Sequence, residues 1–346
     1  MRRVPAAVMA SMSDALFRTA RWRRQLRLIE GDPLALDPRV EPHAQQLGFM
    51  HVYDAAWTGD TTRWLTSPVY AAEAAKRDPI DVCHLAIDRF HVFLERGDVA
   101  ARDDFLAITR GVLDTGRTVE LGGRTCFVIP HGEQVAGYAR HPTPWFNAMV
   151  QGWVGALCMR AHQFTGEERF ARAAVHAVGA CFVAVGRGGV RDLETNGRVF
   201  YEKYAFPGQS RHVLNGFLSA LLGIWDVARA SGDGDAQSAF DEGVASLDDV
   251  VLATYDNGYT TLYDQRPDRR ATPSSVLYTW VHARQLAALA RITRQPRLLA
   301  WADHWRSYSQ RSGHRLRTTL DTVGYRVRSL PRYFPIDQLL KPRPRA

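Results

Sequence analysis

The sequence predicts an all-α fold: an incomplete (α/α)n toroid of about four helical hairpins, with a short β-hairpin inserted. Three observations predict it. A helix of small and apolar residues, a Gly-containing turn and a second, Ala-rich helix recur together at intervals of about 60 to 70 residues. Within each copy the first helix is apolar all round and the second is polar on one side, as the inner and outer helices of a ring require. The chain is 46% hydrophobic and 23% charged, a globular balance, so disorder is not the default reading.

Taken in order, residues 1–35 form a basic N-terminal arm. From Met1 to Leu28, Arg2, Arg3, Arg18, Arg21, Arg23, Arg24 and Arg27 stand against a single Asp14, and the apolar piece Val4 to Ala10 is too short for a signal-peptide core or a membrane span. Leu16, Phe17, Trp22, Leu26 and Ile29 among those arginines suit either a basic amphipathic helix on a membrane surface or partner, or a solvated arm. Residues 36–142 are an N-terminal helical part. It holds the first repeat copy, from Asp81 through Gly97 to Leu113, and a hairpin of Thr118 to Leu121 with Arg124 to Ile129, turned by Gly122-Gly123. Residues 143–320 carry the second copy (Gln151 through Thr165 and Gly166 to Phe182), the third (Asn215 through Ser231 and Gly232 to Leu252) and the fourth. The fourth, Val281 through Gln295 to Ser307, has lost the Gly. Residues 321–346 are a C-terminal extension ending in a basic, Pro-containing tail.

A formal net charge of +8 and a pI near 9.5 favour a polyanionic partner. Nucleic acid is disfavoured, because there is no Cys/His zinc spacing, no ribonucleoprotein-type aromatic motif and no basic region followed by heptads. Cys83, Cys126, Cys158 and Cys181 lie far apart with no CxxC, and read as reduced core thiols of a cytoplasmic protein; the basic arm leaves open a peripheral contact with the inner membrane face. The twelve histidines offer no pair at helical spacing backed by a third ligand, so no metal is expected. His84 and His91 read as facing the ring interior without function. Gly186 to Gly189 lacks the strand and helix of a phosphate loop, and no cofactor is expected.

On a ring of this kind the inter-repeat loops converge on a central cleft, and these loops hold unusual strings. They are Trp145-Phe146-Asn147-Ala148-Met149-Val150-Gln151-Gly152, Gly188-Gly189-Val190 followed by Tyr201-Glu202-Lys203-Tyr204, and Val213-Leu214-Asn215-Gly216-Phe217. Tyr255-Asp256-Asn257-Gly258, Tyr263-Asp264-Gln265-Arg266, and Tyr278 with His282 and Gln285 follow. In order and spacing, over about residues 143 to 307, they resemble the C-terminal domain of heparosan N-sulfate glucuronyl C5-epimerases. The resemblance implies a cofactor-free enzyme converting D-glucuronate to L-iduronate residues within an acidic, heparosan-like polysaccharide. It implies Tyr204, Tyr263 and Tyr278 as cleft residues and Arg266 as the binder of the substrate carboxylate. Two departures stand out. Lys203 occupies the place of a family Glu thought to move a proton, and the β-rich region that precedes the family's helical domain is not apparent. A homodimer is compatible with this reading.

C5 inversion removes a proton α to a carboxylate from one face of the sugar and returns one to the other, so two acid/base groups must flank the ring. A cation must also hold the carboxylate while charge develops, which suits the guanidinium of Arg266. A phenol must ionise to act as a base, costing about 4 kcal/mol at pH 7, and a neighbouring cation reduces that cost. The chain has only three lysines, Lys76, Lys203 and Lys341. Lys203, a cation able to lose its proton, therefore reads either as a proton carrier or as a group that lowers the pKa of Tyr204, with Glu202 as a further catalytic candidate.

Trp145 could stack on a sugar, as could Trp280, or either could be core. Gln151 and Asn215 are binding candidates, although Asn215 also reads as an N-cap and Gly216 as allowing close helix approach. His282 either holds Tyr278's phenol or is a core histidine. Tyr201 reads as packing. A polysaccharide lyase or hydrolase on the same ring, with Glu202 and Asp264 as the only carboxylates at hand, and a noncatalytic glycan binder are the rival readings.

Overall fold

A computed structural model of the chain describes residues 79–132, 135, 141–194, 197–265 and 271–333. The basic arm, the basic C-terminal tail and Arg266 lie outside these residues.

Four helical hairpins follow one another. They are α1 (Pro79–Arg96) with α2 (Val99–Thr115), α3 (Ala148–Thr165) with α4 (Glu168–Gly179), α5 (Leu214–Ser231) with α6 (Gly234–Ala245), and α8 (Val276–Thr293) with α9 (Pro296–Gln310). A short α7 (Asp249–Thr254) follows the third pair, and α10 (Ser312–Tyr333) closes the described chain. The first helices pack side by side in the order α1, α3, α5, α8, and each second helix packs outside its own partner. This is an arc of an α/α toroid.

Sequence pattern explains which helix lies inside. Every residue of α3 from Ala148 to Ala161 is buried, as is α5 from Leu214 to Ile224, because neither face meets water. In α4 burial returns every three or four residues, at Phe170, Ala173, Ala174, Ala177 and Val178, the single stripe of an outer helix. Three hairpins turn at a glycine in the left-handed region, Gly97, Gly166 and Gly232, with φ of 64°, 68° and 71°. The fourth makes the same turn with Arg294 at φ 54°, accepting roughly 1 kcal/mol of strain where glycine would have none.

The predicted hairpin is present as β1 (Arg117–Leu121) paired with β2 (Arg124–Val128), and β2 lies against α4. A second ribbon, β3 (Arg191–Leu193) with β4 (Val199–Tyr201), was not expected; three residues per strand is too short a run for alternation to be read. One core extends from Val82 to Tyr308, so the 142/143 division marks no break in packing, and α10 runs through the 320/321 division. All four cysteines are free and buried, and burial pushes the thiol of Cys126 up to about 11 and that of Cys158 up to about 12.

Candidate active site

Three inter-helix segments meet at the ends of α5 and α8. The first leaves β4, whose Tyr201 is buried and donates its phenol to Ala239 O at 2.7 Å, a packing role. The chain bends at Lys203 and Tyr204, so that Glu202 turns one way and its two successors the other. Gly216 in the first turn of α5 allows the bend: a Cβ there would lie 2.7 Å from Lys203 Cβ. The close approach is thus of a loop to a helix, where helix to helix was expected.

Lys203 is buried and donates from Nζ to Tyr263 Oη at 3.0 Å. The same nitrogen lies 5.5 Å from the ring centroid of Tyr204 and 5.6 Å from that of Tyr263. Lys203 therefore bonds the Tyr263 phenol, whereas its contact with Tyr204, the phenol expected to feel it, is to the ring. Tyr263 is held by its own backbone, its N donating to Thr272 O and its O accepting from Leu214 N. Tyr278 sits in the first turn of α8, whose N-cap Ser275 accepts from Tyr278 N, and its ring meets that of Tyr263 edge-on at 5.1 Å. Of the three phenols predicted from the sequence, Tyr204 and Tyr263 thus lie about one ammonium, and Tyr278 joins them through the Tyr263 ring.

Arg211 borders the same cluster. Its Nε donates to Asp264 Oδ2 at 2.8 Å, and its guanidinium lies 5.6 Å from the Tyr204 ring centroid. Asp264 is fully buried, its other oxygen accepting from Thr272 N, so it is committed to holding the loop. Sequence reasoning passed over Arg211 because it lies outside every quoted string.

Other expectations are corrected. Gln151 spends its whole amide inside the core, accepting from Ile129 N and donating to Phe127 O and Ala177 O, so it ties the β-hairpin to α3 and α4 and is no ligand. Trp145 is 5% exposed, stacked on His131 at 4.3 Å and packed against Phe206 and Tyr204; it backs the Tyr204 ring and offers no face to a sugar. Trp280 is core. Asn215 is buried at the second position of α5, and the N-cap is Val213. His282 bonds through Nδ1 to Thr261 Oγ1 at 2.8 Å and lies 6.3 Å from the Tyr278 ring, so Thr261 is its hydrogen-bond partner; burial lowers its pKa to about 3 and keeps it neutral. His84 of α1 is likewise lowered to about 3, by burial and then by the charge of Lys203, and its ring packs on Trp153 at 4.7 Å.

Glu202 is the largest correction. Its carboxylate is engaged with backbone, Oε1 accepting from Arg211 N and His212 N, and burial pushes its pKa up to about 7. Beside it His212 donates to Asp192 Oδ2 at 2.9 Å. Burial pulls the His212 pKa down, but the hydrogen bond to Asp192 and the charges of Glu202, Asp192 and Glu194 outweigh it, and the net direction is up.

An arc of helical hairpins that brings Lys203, Tyr204, Tyr263 and Tyr278 close together at the starts of two inner helices defines an α/α protein. The family model described as the D-glucuronyl C5-epimerase C-terminus matches residues 126–307, more than half of the chain, and the chain belongs to that family. It is 32% identical over 184 residues to the D-glucuronyl C5-epimerase of Caenorhabditis elegans, covering 49% of this chain and 29% of that protein. It is 30% identical over 174 residues to an uncharacterized protein of Methanocaldococcus jannaschii, covering 47% of this chain and 54% of the relative. The chain thus spans less than a third of the first relative and about half of the second. Among solved structures, the unsaturated glucuronyl hydrolase of Bacillus sp. GL1 aligns over 82% of this chain and 84% of its own at 14% identity, with a TM-score of 0.47.

Proposed function

We propose that this chain inverts C5 of D-glucuronate residues in an acidic, heparosan-like polysaccharide, giving L-iduronate, by proton removal on one face of the sugar and return on the other. The observation that carries the reading is the 3.0 Å hydrogen bond from Lys203 Nζ to Tyr263 Oη, with two further phenols beside it. A cation bonded to a phenol oxygen favours the phenolate, which offsets the cost of about 4 kcal/mol of ionising it at pH 7. Tyr263 is then the base that takes the C5 proton, and Lys203 stabilises its charge. Tyr278 shares the Tyr263 side of the cluster through their edge contact, which leaves Tyr204 to protonate C5 from the opposite face. The electron pair left at C5 is delocalised into the carboxylate, whose second negative charge needs a guanidinium; Arg266 and Arg211 are the candidates. Product release regenerates the starting state after a proton passes from Tyr263 to Tyr204 through solvent or product exchange.

Incubation with heparosan in heavy water tests this. Wild type should exchange deuterium into C5 and yield iduronate with no ultraviolet-absorbing unsaturated product. Tyr263→Phe should lose exchange by about 10²-fold or more. Lys203→Arg should retain part of the rate and Lys203→Glu should not, since the proposed role is charge. Absence of exchange, or accumulation of an unsaturated uronate, which a lyase would give, overturns the reading.

A further inference from the structure

Behind the phenol cluster, on the far side of the segment that carries Lys203, three side chains from separate elements converge. Asp192 stands on β3, Glu202 directly follows β4, and His212 precedes α5. One donor atom of each lies within 4.8 Å of the other two. His212 Nε2 is 2.9 Å from Asp192 Oδ2 and 3.5 Å from Glu202 Oε1. In a tetrahedral site with bonds of about 2.1 Å, neighbouring ligand atoms stand about 3.4 Å apart, and the 2.9 and 3.5 Å spacings bracket that value.

Two further features point to a cation. Glu202 has no exposed surface; its Oε1 is fixed by two backbone N–H groups, while its Oε2 is buried with no hydrogen-bond partner, a costly state for a carboxylate. The other nitrogen of the imidazole, His212 Nδ1, lies 3.3 Å from Glu194 Oε1. On metal binding Nε2 would release the proton it donates to Asp192, and Glu194 would hold the one left on Nδ1, the arrangement usual around metal-ligating histidines.

We propose that Asp192, Glu202 and His212 bind one divalent transition-metal ion, in the Mn²⁺ and Zn²⁺ class that a mixed carboxylate–imidazole set suits. Solvent completes the coordination shell from the side where Asp192 and His212 are partly exposed. The ion ties β3, the end of β4 and the start of α5 together. It therefore fixes the backbone from which Lys203 and Tyr204 project, a structural role that stands whether or not the epimerase reading holds.

The test uses the full chain, without an affinity tag, stripped with EDTA and then freed of chelator. Mn²⁺ binding is followed by loss of the free aquo-ion EPR signal, and Zn²⁺ binding by competition with a chromophoric chelator. One ion per chain is expected, with a rise in Tm on binding, and Asp192→Asn and His212→Gln should each weaken affinity at least tenfold. No saturable binding by wild type, or wild-type affinity in either folded variant, overturns the site. Should neither variant fold, paramagnetic broadening of the His212 ring resonances by Mn²⁺ in the wild-type chain decides: broadening confined to that histidine supports the assignment, and its absence overturns it.

Discussion

Glu202 and Lys203 are neighbours in sequence with opposite fates, because the chain leaves the extended conformation between them. Alternation along a strand would have placed residues 202 and 204 on one face; the bend at Lys203 and Tyr204 instead brings both to the phenol cluster, while Glu202 is held by the backbone of Arg211 and His212. Lys203 itself was conspicuous as one of three lysines in an arginine-rich chain, but its phenol partner, 60 residues away, was not legible. The buried carboxyl of Glu202 makes a pH prediction with a definite sign. Its pKa is about 7 in the folded chain against 4.5 unfolded, so the native state binds the extra proton between those values. Stability is fully present below pH 4.5 and is lost as pH rises to 7, by about 3 kcal/mol. His212, with its folded pKa also raised, acts in the same direction above pH 6.5. In chelator-containing buffer the unfolding free energy should fall across this range, and Glu202→Gln should flatten the fall; an unchanged slope in that variant would assign the dependence elsewhere.

Gly216 belongs to the level of elements, since it sets the distance between α5 and the loop after β4. An alanine there meets the Lys203 side chain and must push it off Tyr263. Gly216→Ala should therefore reduce C5 exchange tenfold or more while lowering Tm by only a few degrees, a split that separate activity and unfolding measurements would read. The inner helices α3 and α5 are joined differently. A Cβ on Gly223 would lie 2.2 Å from Gly152 O, so backbone meets backbone, and a few residues on Arg160 pairs with Asp226 at 2.8 Å, both almost fully buried. Arg160→Met should cost about 3–5 kcal/mol by stranding Asp226, and adding Asp226→Leu should restore most of that in denaturant melts. Helices were the legible part of this fold: repeat spacing and all-round apolar character located the four pairs, including the one that turns on Arg294. The β3–β4 ribbon and the Asp192–Glu202–His212 group were not legible, as both depend on short segments with no period of their own and on donors 10 to 20 residues apart that no helix face aligns.

For the whole molecule, the charge excess of +8 would, on the proposed function, favour the approach of a polyanion. Heparosan affinity should fall steeply as salt rises from 0.05 to 0.5 M, while Tm changes little, because screening acts on exposed charges and spares buried pairs; salt-independent binding in a filter or calorimetric assay would remove charge as the attraction. At the other end of the chain, α10 reaches back over the loop that presents Tyr263. Tyr325 Oη accepts from Thr272 Oγ1, Thr272 is hydrogen-bonded to Tyr263 and Asp264, and Asp321 accepts from the Tyr259 phenol. On the proposed function, a small molecule or antibody that prised this helix loose would consequently act as an inhibitor without resembling a sugar.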